Sequence, residues 1–377
     1  MRDPVALTQQ LIRCPSVTPE EAGALQLALE TLSDAGFECV RVDRNETPNL
    51  FARWGKSGPV FGYNGHTDVV PAGDLDGWAD DPFGAAIRDG RIWGRGAVDM
   101  KSSVAAFLTA ACTFVESSPP DGSIIITLTG DEEAVAADGT VAILDWMQAN
   151  GEQMDVCMVG EPSSREIPGD SITIGRRGSL SLRVRIEGRQ GHSAYPELYI
   201  NPVHAMADFA HRIASRTLDA GTDDFPPSSL ALTSIDTGNV ASNVVPAACH
   251  AALNIRFNVL HQSTTLVEWL HDEIETVKKN HGVRGSLEVV SVAECFLTRP
   301  GAFTDLIAET VTAFTGRPPN LSTGGGTSDA RFIHSHCPVL ELGLVGRTLH
   351  QVNENVPIRD ILALTELYRS CLESFFG

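Results

Sequence analysis

Apolar positions along this chain follow two rhythms. Residues 60–63, 123–128 and 154–159 are near-continuous apolar runs of strand length, and 37–43, 49–54 and 339–344 also read as strands. Helical spacing governs 4–13 and 21–35, where Leu25, Leu29 and Leu32 recur among polar neighbours. Thr18, Pro19, Glu20 and Glu21 place a cap, a proline and early acids before the second of these. Further helices are predicted at 102–115, 141–150 and 302–315 and from about 358 to the end, with a strand pair around 86–93. The helix at 141–150 joins two buried strands as a βαβ unit, so the sheet should be mostly parallel.

The rhythm changes after residue 178. Residues 179–187 alternate as a half-buried strand, then come a helix at 202–217, strands at 229–235 and 248–258, a helix at 265–280 and a strand at 286–293. That βαββαβ order predicts a ferredoxin-like α+β insert. The expected architecture is α/β, with a mostly parallel-sheet domain made of 1–178 and 294–377 and an inserted domain at 179–293. A length of 377 residues makes two domains the default in any case.

Charge narrows the partners. With 28 Lys and Arg against 48 Asp and Glu the formal charge is −20, which repels nucleic acid and anionic membranes, so neither is expected as a partner. No apolar run approaches the roughly 20 residues that span a bilayer, and the first six residues show no leader pattern. The eight cysteines are scattered without a Cys-x-x-Cys, as in a cytoplasmic protein with reduced thiols.

Candidate chemistry gathers where strands end. His66 and Asp68 leave the 60–63 strand on one face, since side chains two apart in extended chain point the same way. Asp99 sits in a Gly-rich loop before a helix, Glu132 and Glu133 follow the 123–128 strand, Glu161 follows 154–159, and His350 lies near the C-terminal end. Ligands of parallel sheets collect at the carboxyl ends of strands. Two histidines (His66, His350) and three carboxylates (Asp99, Glu133, Glu161) suit a pair of divalent ions with one carboxylate bridging.

Carried by Gly65-His66-Thr67-Asp68-Val69-Val70-Pro71, Gly94-Arg95-Gly96-x-x-Asp99-Met100-Lys101, Asp131-Glu132-Glu133 and Gly160-Glu161-Pro162, the chain resembles the co-catalytic zinc aminoacylase/carboxypeptidase (M20-type) metallopeptidases. The likeness covers essentially the whole length, and segments 175–180, 191–196, 324–329 and 349–354 extend it. It implies a zinc-peptidase-like catalytic domain whose insert serves as lid and dimerisation domain. His66 and Glu161 would hold one Zn2+ (Co2+ is the alternative), Glu133 and His350 the other, and Asp99 would bridge them. Asp68 would orient His66, and Glu132 would be the general base. A cis peptide between Asp99 and Met100 is part of the resemblance.

The same likeness implies a homodimer in which His192 donates to the oxyanion from the partner subunit. The reaction would be hydrolysis of a small N-acyl amino acid carrying carboxylates at both ends. Arg176, Ser179, Tyr195, Asn243, Arg256 and Thr327 would contact that substrate, with Arg177 a further candidate cation. Ser242 departs from close members, which often carry asparagine there, and so offers no side-chain amide. Two alternatives stand beside this reading. One is a family deacylase with a smaller or apolar acyl pocket, such as acetylornithine deacetylase or an aminoacylase. The other is a catalytically silent small-molecule-binding protein on the same fold, against which an intact Glu132 and full ligand set argue.

Overall fold

Strands Ser123–Thr129, Val60–His66 and Val156–Val159 run parallel through the middle of an eight-stranded sheet, each buried along nearly its whole length. Burial on both faces explains why their sequences are near-continuous apolar runs. The structure, a computed structural model, describes residues 2–377. In spatial order the sheet is Glu38–Arg41, Asn49–Trp54, Ser123–Thr129, Val60–His66, Val156–Val159, Val339–Glu341, Ser171–Thr173 and Asn320–Ser322. Pairing is parallel from Ser123–Thr129 through Val339–Glu341, antiparallel among the strands up to Ser123–Thr129, and mixed at the far edge.

Phe107 of helix Lys101–Ser117 stacks on Tyr63 with 3.8 Å between ring centroids, and Tyr368 of helix Ile358–Phe376 meets Phe107 edge-on at 5.4 Å. Full burial of each such side chain stabilises the fold by about 1.5–3 kcal/mol. This packing anchors the strand whose last residue is His66.

The chain folds into two compact units: Met1–Ile174, Thr298–Ser322 and Ser328–Gly377 in the first, Gly175–Leu297 and Thr323–Thr327 in the second. The second holds a four-stranded antiparallel sheet in the order Ser229–Asp236, Ala248–Phe257, Gly178–Glu187, Arg284–Ala293. In chain order these strands stand 2-3-1-4, the ferredoxin-like arrangement. Leu180, Leu182, Val184 and Ile186 point from one sheet face into a core with Phe209 of helix Pro202–Ala214 and Leu270 of helix Ser263–His281.

Several element ends differ from the sequence expectation. The second helix begins at Ala24 behind a left-handed Gly23, not at 21. Residues 17–18 pair instead with Val69: Val17 bridges to it and the Thr18 amide donates to its carbonyl at 3.1 Å, so the backbone of the expected cap, Thr18, is held in a tertiary contact away from the helix start. Helix Pro202–Ala214 stops short of 217, and the strand read as 339–344 ends at Glu341. Strands Ser171–Thr173 and Asn320–Ser322, absent from the sequence reading, complete one side of the sheet. Among the described residues no helix is long and apolar enough to cross a membrane, and none of the eight cysteines forms a disulfide.

Candidate metal centre

His66 ends its strand with the ring 1% exposed, and its Nε2 lies 3.0 Å from Asp99 Oδ1 and 3.6 Å from Glu161 Oε1. On the other side of Asp99, Oδ2 is 3.2 Å from His350 Nε2, which lies 2.9 Å from Glu133 Oε1. Two groups that could hold an ion therefore share one carboxylate: His66, Asp99 and Glu161, and Asp99, Glu133 and His350. Each oxygen of Asp99 addresses a different histidine. A mixed nitrogen and oxygen donor set around a shared carboxylate fits a pair of divalent ions. All five ligand candidates from the sequence are thus brought together.

The charges act strongly on one another. Hydrogen bonds to Asp99 and Glu133 lift the His350 imidazole to about 10, against a smaller opposing effect of burial. Burial pulls His66 down, but the neighbouring Asp68 and Asp99 outweigh it and leave the imidazole well above its ordinary value. For Asp99 burial works upward, yet His350 and His66 hold the carboxyl below the usual carboxylate range. Glu132 is pushed well up by burial and then by the charges of Glu161, Asp329 and Glu133, with His66 opposing. Glu132 thus has acids on several sides.

Asp68 is fully buried and does two things. Its main-chain oxygen lies 2.9 Å from His66 Nδ1, nearer than its carboxylate at 3.6 Å. The carboxylate oxygens instead accept from the amides of Glu132, at 3.3 Å, and Glu133, at 3.1 Å. The residue expected to orient His66 through its side chain thus touches that ring most closely through its backbone, while its side chain holds the 132–133 turn. The Asp99–Met100 peptide is cis.

The other candidates lie in the second unit. His192 is exposed in the short strand Gly191–His192, paired with Val244, and its Nδ1 accepts from the Ala194 amide at 3.1 Å. Tyr195 is exposed beside it, ring centroids 5.6 Å apart, and the Asn243 carbonyl accepts from the Ser193 amide. Ser179 and Arg256 are cross-strand neighbours. Arg176 donates to the Gly326 carbonyl at 3.3 Å, in the segment Thr323–Thr327 that carries Thr327. Burial, then the nearby Arg177 charge, lowers the Arg256 pKa, and neither of these two guanidiniums has a carboxylate partner among the described residues.

Sequence reading missed a buried relay beneath the ligand groups. Asn64 Nδ2 donates to Thr140 Oγ1, which donates to Asp329 Oδ2 at 2.7 Å. The only local signal was an acid closing the Gly-rich 324–329 loop.

Comparisons with known proteins agree with this geometry. The model of "Peptidase family M20/M25/M40" matches residues 62–374. A succinyl-diaminopimelate desuccinylase of Cereibacter sphaeroides is 55% identical over 377 residues, covering 100% of this chain and 99% of its own. That of Dinoroseobacter shibae is 54% identical over 379 residues, covering 100% of each. Among solved structures, an M20 family metallo-carboxypeptidase from Sulfolobus solfataricus superposes with a TM-score of 0.79 at 17% identity, over 100% of this chain and 99% of that one, a likeness of fold. A family match over most of the chain, full-length relatives above half identity and two ligand groups sharing Asp99 lead to one conclusion: the chain belongs to peptidase family M20/M25/M40.

Proposed function

We infer that this chain hydrolyses the amide of N-succinyl-LL-2,6-diaminopimelate, releasing succinate and LL-2,6-diaminopimelate for lysine and cell-wall synthesis. The observation that carries the reading is Asp99 set between two ligand groups, in a chain 55% identical end to end to succinyl-diaminopimelate desuccinylases. His66 and Glu161 would hold one ion, Glu133 and His350 the other, and Asp99 both. Zinc suits these donors best, and cobalt fits them too. Two such ions supply Lewis acidity, which acidifies water toward a pKa of about 7 and polarises the acyl carbonyl.

The chain's own groups do the rest. Glu132 stands next to the ligand Glu133 without belonging to either group, so its carboxylate takes the proton of the attacking water and passes it to the departing amine. The Ala194 amide occupies Nδ1 of His192, so the neutral ring carries its hydrogen on Nε2, which has no partner among the described residues. That N–H can donate to the oxyanion as the carbonyl is attacked. In this reading His192 serves the partner subunit of a homodimer formed through the second unit. Arg256 and Arg177, cations without carboxylate partners among the described residues, supply charge for the substrate's carboxylates, with Arg176, Ser179, Tyr195, Asn243 and Thr327 completing its contacts.

The test is succinate release by purified, zinc-loaded protein from the succinyl substrate, with N-acetylornithine alongside. Faster turnover of the acetyl compound would make the chain a different deacylase. The dimer is tested by mixing His192→Ala with Glu132→Ala under conditions that exchange subunits. Half the dimers are then mixed with one intact site each, so activity returns to roughly a quarter of the parent's. With exchange verified, a mixture as inactive as its components removes the partner role.

A further inference from the structure

Arg95 and Glu354 form an ion pair with side chains 3% and 0% exposed, Nη1 to Oε2 at 2.7 Å. Neither is among the ligand candidates, and they lie 259 residues apart in sequence. Their remaining bonds are directed at the backbone of the ligand loops. Glu354 Oε1 accepts from the Val98 amide at 2.7 Å and from the amide of Asp99 itself at 3.2 Å, while Oε2 also takes the Gly96 amide at 3.1 Å. Gly96 has φ +81 and a Cβ there would lie 2.6 Å from Val69 Cγ1, so only glycine lets the loop turn its amides inward.

Arg95 reaches the other way. Nη1 donates to the Gln351 carbonyl at 3.2 Å, and Nη2 to the carbonyls of His350 at 3.4 Å, Pro71 at 3.3 Å and Ala72 at 3.4 Å. Its guanidinium also lies 5.4 Å from the Trp78 ring centroid. His350 sits at φ 58 with its side chain 40% exposed, so little packing fixes where its ring stands. One buried pair thus grips the amide of Asp99 and the carbonyl of His350, two residues brought together from distant parts of the chain.

We propose that Arg95 and Glu354 are a positioning pair that sets the spacing between Asp99 and His350, and so the affinity of the ion held by Asp99, Glu133 and His350. The proposal rests on the two-ion reading of the site. Its consequence is selective: the ion at His66, Asp99 and Glu161 has its other ligands on strand ends outside the pair's reach.

The experiment is calorimetric titration of metal-free protein with Zn2+, with Co2+ absorption spectra as a second readout. Two equivalents bound by the parent test the ligand reading on its own, and a parent that takes only one overturns the proposal with it. In Glu354→Ala the weaker equivalent should lose affinity by about 10–100-fold, as for other outer partners of metal ligands. The tighter one should stay near the parent, and the Co2+ bands of one site alone should shift. Glu354→Gln keeps the size and one acceptor oxygen, so it should show a smaller loss, and kcat should fall with KM nearly unchanged. If Glu354→Ala does not fold, Glu354→Gln decides. A folded Glu354→Gln with both affinities and the Co2+ spectrum of the parent overturns the proposal.

Discussion

The two ligand groups share Asp99 but are built differently. His66, Asp99 and Glu161 are 1%, 7% and 6% exposed, and two of them sit at or just past the ends of central parallel strands. In the other group Glu133 stands on a turn and His350 on a loop, with the histidine side chain 40% exposed. One group is fixed by the sheet, and the other is assembled from loops that side chains such as Asp68, Arg95 and Glu354 hold in place. Similar donors on unequal supports should differ in affinity and in how fast they exchange an ion. A centre held in this way would have a resident side and a labile side.

The largest expected effect tests whether Glu132 stands outside both groups. Glu132→Gln should lower kcat by about 10²–10⁴-fold, the usual worth of a positioned general base, with two equivalents of metal still bound by elemental analysis. Loss of an ion along with activity would make Glu132 a ligand and redraw the comparison. Next comes the asymmetry itself. Stepwise chelation should remove the ion of the group that contains the exposed His350 first, and Glu133→Gln should weaken that ion by more than about 100-fold, beyond the cost of losing an outer partner. Equal release from both groups, followed in the Co2+ spectrum, would show that burial does not rank them.

The smallest effect is expected at Asp68, which touches both sides. Asp68→Asn keeps the main-chain contact to His66 but leaves one acceptor oxygen for the Glu132 and Glu133 amides. The ion of the His350 group should weaken by about tenfold and that of the His66 group hardly at all. An equal loss at both would mean that the carboxylate of Asp68, and not its carbonyl, orients His66.

What could be read from the sequence follows from how local each signal is. Buried parallel strands announce themselves as apolar runs, and the alternating burial of Gly178–Glu187 appears directly in its residues. His66, Asp99, Glu133 and Glu161 each follow a strand or open a helix, so chain order and sheet rules were enough to gather them. Strands Ser171–Thr173 and Asn320–Ser322 are too short to show a period and exist through their neighbours. Arg95 and Glu354 both lie in the motif segments 94–101 and 349–354, but nothing in either segment shows that the two meet. Each residue looks like an ordinary loop charge until the two loops meet. The division of labour in Asp68 was equally hidden, because backbone and side chain share one letter in the sequence.

Strand Val339–Glu341 lies inside the sheet, between Val156–Val159 and Ser171–Thr173, although the whole of Gly175–Leu297 precedes it in the chain. A protein emerging from the ribosome builds from its N-terminus. The sheet of this one therefore has an open slot until residue 341 is out, and His350 follows later still. Until then the apolar flank of Cys157, Met158 and Val159 lacks its cover, and Asp99 lacks one of its two histidines. Synthesis order makes completion of the centre a late event, so a chain truncated before this point is both sticky and unable to complete its second ligand group.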